Sequence, residues 1–149
     1  MSAHTPDLTQ QAPRSPRVRL GGFVQLPRML DKGRATLAGK NGEYHYDCPL
    51  DQRFLGFAGI EAEALQQQLA TGKGDGEILE WLMANAKFKR TESEIAAWSA
   101  YESQRAPDNV EGREYLHGEH LRVAPKREDI STWFDYLDVD DYVSFGGKA

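Results

Sequence analysis

The sequence predicts a mainly α fold: a single helical bundle of about seven helices, with room for a small β pairing near residues 43–48. Three observations carry this. Apolar residues recur at offsets of three and four along most of the chain, the spacing that lays a stripe down one side of a helix. Glycines and prolines punctuate those stretches where helices would end and begin. Alternation of the kind that marks a half-buried strand is confined to one short segment.

The elements follow in chain order. Residues 1–16 hold three prolines and many small polar side chains and read as a flexible tail draped over the surface, which leaves residues 17–149 as the one domain. The first helix is expected from about Gly22 to Ala38, with Phe23, Leu26, Leu30, Gly33 and Leu37 on its apolar stripe. Pro27 falls in its first turn, where a missing N–H is tolerated, and Gly39 is placed to end it. Gly33 costs about 1 kcal/mol against alanine in mid-helix, so another stretch of backbone is expected to pack against it. Glu43–Cys48, with its alternating aromatics, suits an extended segment.

Pro49 then opens a short helix from Leu50 to Ala58, with Leu50, Phe54 and Phe57 inward and Gly59 at its end. Glu61–Ala70 repeats the pattern with Ala62, Leu65 and Leu69. Asp75 is the expected cap of Gly76–Ala86, which turns Ile78, Leu79, Leu82 and Met83 inward. Thr91–Glu94 is a capping box, the clearest local signal in the chain, ahead of a helix carrying Ile95 and Trp98. A polar helix follows over roughly Asn109–Arg122. The last helix, with Asp129 as its expected cap, carries Ile130, Trp133, Phe134 and Leu137, and Val139–Ala149 is expected to be irregular.

Composition narrows the function classes. A chain of 149 residues, 40% of them hydrophobic, is long enough to bury a core without disulfides or metal. Its one cysteine, Cys48, excludes an internal disulfide and fits a reducing compartment. No apolar run approaches a membrane span and Met1–Gln11 lacks the apolar core of a secretory signal, so the expected location is the cytoplasm. The net charge is −5, yet residues 1–50 carry seven basic side chains against four acidic ones, so the remainder holds −8. Scattered cations on an acidic protein make a poor footprint for nucleic acid, which is not expected as a partner. The sequence sets no oligomeric state.

Four groups of residues bear on chemistry. On the polar side of the first helix, Asp31 lies three residues from both Arg28 and Arg34, while Arg28 and Lys32 are four apart and repel. This reads as a solvated row of ion pairs, or as a site where a bound anion relieves the repulsion. Tyr44, His45, Tyr46, Asp47 and Cys48, with Asp51, place titratable groups beside a helix start, where a thiol can become nucleophilic or simply be buried. His45 and Cys48 are spaced H-x-x-C, and His117 and His120 are spaced H-x-x-H with Glu114 upstream, but no cofactor or metal is expected from that spacing alone. Asp135, Asp138, Asp140 and Asp141 fail the calcium-loop pattern and read as a solvated cluster. Phosphate-loop, dinucleotide-loop, zinc-protease and nucleophile-elbow motifs are missing, and Leu20-Gly21-Gly22 reads as a common turn.

Several stretches in order carry a resemblance: Arg14-Ser-Pro16, Leu20-Gly-Gly22, Leu26 to Ala35, Gly42-Glu-Tyr44, Cys48-Pro-Leu-Asp51, Trp81, and Asp129-Ile-Ser-Thr-Trp133. Together, from about Leu8 to Asp140, they resemble a bacterial family known only as a domain of unknown function, number five-zero-six-nine. The resemblance implies a bacterial source and a stand-alone domain, supplies no activity, and leaves His117 and His120 outside its pattern. The function expected from the residues is therefore a binding module. In it Arg28, Asp31, Lys32, Arg34, Tyr44, Tyr46, Cys48 and Asp51 take a small anionic ligand or a protein partner's acidic surface. The alternative is a small enzyme using Asp31, Tyr44, Cys48 or Asp51 as acid, base or nucleophile.

Overall fold

The computed structural model describes residues 4–149 and forms, among them, seven helices. They are α1 (Leu26–Leu37), α2 (Pro49–Ala58), α3 (Ala62–Ala70), α4 (Asp75–Asn85), α5 (Glu92–Gln104), α6 (Val110–Val123) and α7 (Trp133–Ser144). The mainly α expectation holds. The β pairing does not: Glu43–Cys48 runs through turns, and the described residues contain no strand, only a bridge between Leu20 and Phe23. The alternation in that segment is real, since Tyr44, Tyr46 and Cys48 are half-buried while Glu43, His45 and Asp47 are exposed. It reports which side chains face inward, but with no second strand alongside, the backbone has nothing to pair with.

Helix α1 begins four residues later than its apolar stripe suggests. Gly21 and Gly22 take left-handed φ angles of 59° and 84°, and Gln25 one of 70°. Leu20 and Phe23 exchange backbone hydrogen bonds of 3.1 and 3.0 Å, closing a tight turn that a helix cannot enter. Ser99 of α5 fixes this turn from outside: its Oγ accepts from Val24 N at 3.1 Å and donates to Gly22 O at 2.6 Å. The helix ends as expected, with Gly39 left-handed and Lys40 N donating to Ala35 O at 2.8 Å.

The larger core gathers Phe23, Leu26, Met29 and Leu30 from around α1 with Phe54 and Leu55 of α2, Leu65 and Leu69 of α3, Ile78 and Leu82 of α4, and Ile95 of α5. Phe23 meets Phe54 edge-on at 5.3 Å, and Phe57 stacks on Trp98 at 4.8 Å, geometries that aromatic quadrupoles favour. A smaller core joins α6 and α7 through Leu116, Val123, Tyr136 and Val139. The two halves meet where Trp133 N donates to Arg105 O at 3.0 Å. The stretch before α1, expected to be a tail, lies along this body: Leu8 is buried, its N–H donates to Lys40 O at 2.8 Å, and Pro6, Pro13 and Pro16 are buried.

Other expectations are corrected in detail. Leu37 and Met83 are exposed at 48% and 44%, because α1 ends at Leu37 and Met83 lies on the solvent side of α4. Gly33 is approached by side chains, not backbone: a Cβ there would sit 2.5 Å from Leu69 Cδ1 and 3.2 Å from the Tyr46 ring. Gly74, not Asp75, caps α4, since the Asp75 carboxylate is held by arginines. Thr132 caps α7 in place of Asp129, which pairs with Arg127. Thr132 Oγ accepts from Asp135 N at 3.0 Å while the Asp135 carboxylate accepts from Thr132 N at 3.0 Å, a reciprocal box that fixes the start. The helix then continues to Ser144 through a stretch expected to be irregular. Among the described residues no helix is long and apolar enough to cross a membrane.

Candidate functional site

The charged side of α1 is not a solvated row. Arg28, Asp31, Lys32 and Arg34 are all buried, and a charge out of water must be matched. Each is matched by a different segment. Arg28 donates to Asp141 of α7 from Nη1 at 2.7 Å and Nη2 at 3.3 Å. Asp31 accepts from Arg14 N, Nε and Nη2 at 2.9–3.1 Å. Lys32 Nζ donates to Asp51 Oδ2 at 2.8 Å, and Arg34 Nη1 to Asp75 Oδ1 at 2.8 Å. The repulsion between Arg28 and Lys32, which a bound anion would relieve, is relieved from within the chain by Asp141 and Asp51. Asp31 pairs with neither Arg28 nor Arg34, because Arg14 reaches it first.

These contacts also set protonation. Although burial works against the charge, bonds to Asp75 and then Asp31 hold the Arg14 guanidinium charged more firmly than usual. Burial likewise opposes ionisation of Asp75, but Arg14 and then Arg34 outweigh it and keep its carboxyl below the ordinary 3.8. Tyr44 OH donates to Asp141 Oδ1 at 2.8 Å. Burial, then that bond, raise the Tyr44 phenol well above its ordinary value, which favours its neutral form.

A cleft of about 560 Å³ opens beside α1, within the size range of small-ligand sites. Gln25, Arg28 and Lys32 come to it from α1 and its cap, and Tyr44, His45 and Cys48 from the segment before α2. Leu8, Leu50, Leu137 and Phe145 supply apolar wall, and Glu43, Asp140 and Ser144 also border it. The Tyr44 ring lies 5.4 Å from the Arg28 guanidinium carbon, within cation–π range.

Of the expected site residues, Arg28, Lys32, Tyr44 and Cys48 therefore converge. Asp51 lies behind them with none of its surface exposed. Its Oδ1 accepts from Gln25 Nε2 at 2.8 Å, and its Oδ2 from Lys32 Nζ, Asp47 N at 3.0 Å and Cys48 N at 3.4 Å. Asp31 and Arg34 sit apart, against Arg14, Asp75 and Lys73 O. Tyr46 is spent on structure: its OH donates to Ala62 O at 2.6 Å.

Lys32 is saturated. Its three donors go to His45 O at 3.0 Å, Cys48 Sγ at 3.3 Å and Asp51. Arg28 is not: two donors reach Asp141 and one reaches Arg14 O at 3.3 Å, out of the five a guanidinium carries.

Two important residues escape sequence reasoning. Asp141, expected in a solvated cluster, is buried and holds both Arg28 and Tyr44. Its neighbours are paired as well, Asp135 and Asp138 with Arg17 and Asp140 with Arg122. Their i,i+3 spacing on a helix was the available signal. Gln25 is 2% exposed, and its Oε1 has no hydrogen-bond partner; nothing in the local sequence marks it. His117 and His120 lie on α6, and His45 and Cys48 on the segment that leads into α2. Among the described residues no group of three or more His, Cys, Asp or Glu is placed to hold a metal.

No curated protein matches the chain. The family model described as "Domain of unknown function (DUF5069)" matches residues 10–143, and with most of its length inside that match the chain belongs to this family.

Proposed function

We propose that this protein is a binding module that takes a small acid with a single carboxylate in the cleft beside α1. The observation that carries the reading is the Arg28 guanidinium: buried, bordering a cleft of about 560 Å³, and with only part of its fork engaged. A planar fork with free N–H groups suits a carboxylate. The pairing of Lys32 with Asp51, Arg28 with Asp141 and Arg122 with Asp140 leaves little net positive charge around the cleft. That disfavours a phosphate-rich ligand and favours a single carboxylate whose apolar body lies against Leu50, Leu137 and Phe145.

Burial of the cations also favours a small ligand over an acidic partner surface, since a flat surface cannot reach a residue 4% exposed. The enzyme alternative has less support. Asp51 and Asp31 each accept hydrogen bonds at both carboxylate oxygens, and the thiol of Cys48 faces a lysine whose three donors are all engaged.

The test is thermal unfolding in the presence of millimolar monocarboxylates. A ligand at 100 times its Kd stabilises by about 2.7 kcal/mol, about 9 °C for a chain of this size. Arg28→Lys keeps the charge and loses the fork, so its response should be smaller. An unmoved melting temperature for the wild type, or the same rise in Arg28→Lys, would sink the proposal.

A further inference from the structure

Gln25 combines three features that fold stability alone does not favour. It caps α1 from a left-handed backbone, with φ 70°, a conformation that costs a non-glycine residue of order 1 kcal/mol or more. Its side chain makes no capping bond. Its Oε1 is buried without a partner, and a buried acceptor left unmade costs about 1–3 kcal/mol. The amide is not free to turn over and relieve this, because Nε2 must face the Asp51 carboxylate, to which it donates at 2.8 Å. Asp51 in turn is locked by Lys32 and two backbone N–H groups. The carboxylate behind the cleft thus dictates that Gln25 offers an acceptor, and Gln25 itself borders that cleft.

Gln25 and Arg28 both border the same cleft at the start of α1. From this geometry we infer that the cleft selects a monocarboxylic acid with a hydrogen-bond donor, a hydroxyl or an ammonium, next to its carboxylate. The carboxylate takes the free donors of Arg28 and the neighbouring donor satisfies Gln25 Oε1. Gln25 is then the specificity-determining residue, because a site that buries an acceptor rejects the analogue lacking its donor. The inference rests on the acid-binding reading above and adds which acids.

Two matched triads separate the possibilities by titration calorimetry on the full chain: propionate, lactate and alanine, then 3-phenylpropionate, 3-phenyllactate and phenylalanine. In at least one triad the hydroxy or amino acid should bind about tenfold or more tightly than the plain acid, the size of one well-made hydrogen bond. Gln25→Met, which keeps the side-chain length and removes the amide, should bring the members within about twofold. In the wild type, the Gln25 side-chain amide resonance should move on adding the donor-bearing acid and stay in place with the plain one. This readout holds even if the variant folds poorly. Equal binding of the three members, or discrimination that survives in Gln25→Met, overturns the selection by Gln25 while leaving acid binding intact. Binding by none of the six acids overturns both readings.

Discussion

The Lys32–Asp51 pair offers the sharpest test of the physical account, because its two ends are not equivalent. Lys32 and Asp51 side chains are 5% and 0% exposed. In Asp51→Leu the ammonium stays buried with only His45 O and Cys48 Sγ to face, while Gln25 Nε2, Asp47 N and Cys48 N lose an acceptor. Removing one partner of a buried pair costs about 3–5 kcal/mol. A chain of 149 residues unfolds with an entropy of about 0.3 kcal/mol/K, so the melting temperature should fall by about 10–16 °C. In Lys32→Met the carboxylate keeps three N–H donors, which is the environment that best tolerates a buried charge, so the fall should be smaller. The double variant removes the stranded ammonium and should recover part of the Asp51→Leu loss. Circular dichroism melts of the four proteins measure this directly. If Lys32→Met costs as much as Asp51→Leu, or if the double variant melts no higher than Asp51→Leu, the two ends of the pair are not solvated asymmetrically.

Two further outcomes follow from the same geometry. Asp75 has a folded-state carboxyl value below the ordinary 3.8 because of Arg14 and Arg34, after opposing burial. Its contribution is therefore present above the unfolded value and is lost as pH falls through the folded one. Asp75→Asn should flatten the stability profile below about pH 4, and denaturant titrations at several pH values that keep the wild-type slope there would refute it. Ser99→Ala orphans both Val24 N and Gly22 O and should cost about 1–3 kcal/mol, seen as a lower denaturant midpoint at unchanged slope; a loss below about 0.5 kcal/mol, the size of a surface change, would show that the turn before α1 does not need this tie.

Much of the fold is legible because helical periodicity and caps are local signals. The Thr91–Glu94 box predicts α5 as it stands, with Thr91 Oγ accepting from Glu94 N at 3.2 Å. Gly39 and Gly59 end α1 and α2 where expected. What fails is what depends on distant partners. Nothing local says that Asp141 returns to meet Arg28 across 113 residues, so the charges on α1 look like surface charges. Nothing local says that Glu43–Cys48 lacks a neighbouring strand. Arg28, Lys32, Tyr44 and Cys48 can be picked out by residue type, but Gln25, which is neutral and has no motif, becomes visible only once its buried amide has been placed.

The cost of burying so much charge in one helix needs a reason, since apolar residues in the same places would often stabilise a protein as well or better. The partners suggest one. Arg14 comes from the chain before α1, Asp51 from α2, Asp75 from α4 and Asp141 from α7. An apolar α1 would accept any of several amphipathic helices against any of its sides. A charged one penalises every arrangement that leaves an ion unmatched, because an unpaired buried charge costs several kcal/mol. The pairs therefore act as addresses that fix which segment docks where. The same addressing shapes the cleft: Asp51 fixes the Gln25 amide and silences Lys32, and Asp141 occupies one side of the Arg28 fork. What the packing of α1 leaves over is an unpartnered acceptor at Gln25 and part of a guanidinium at Arg28.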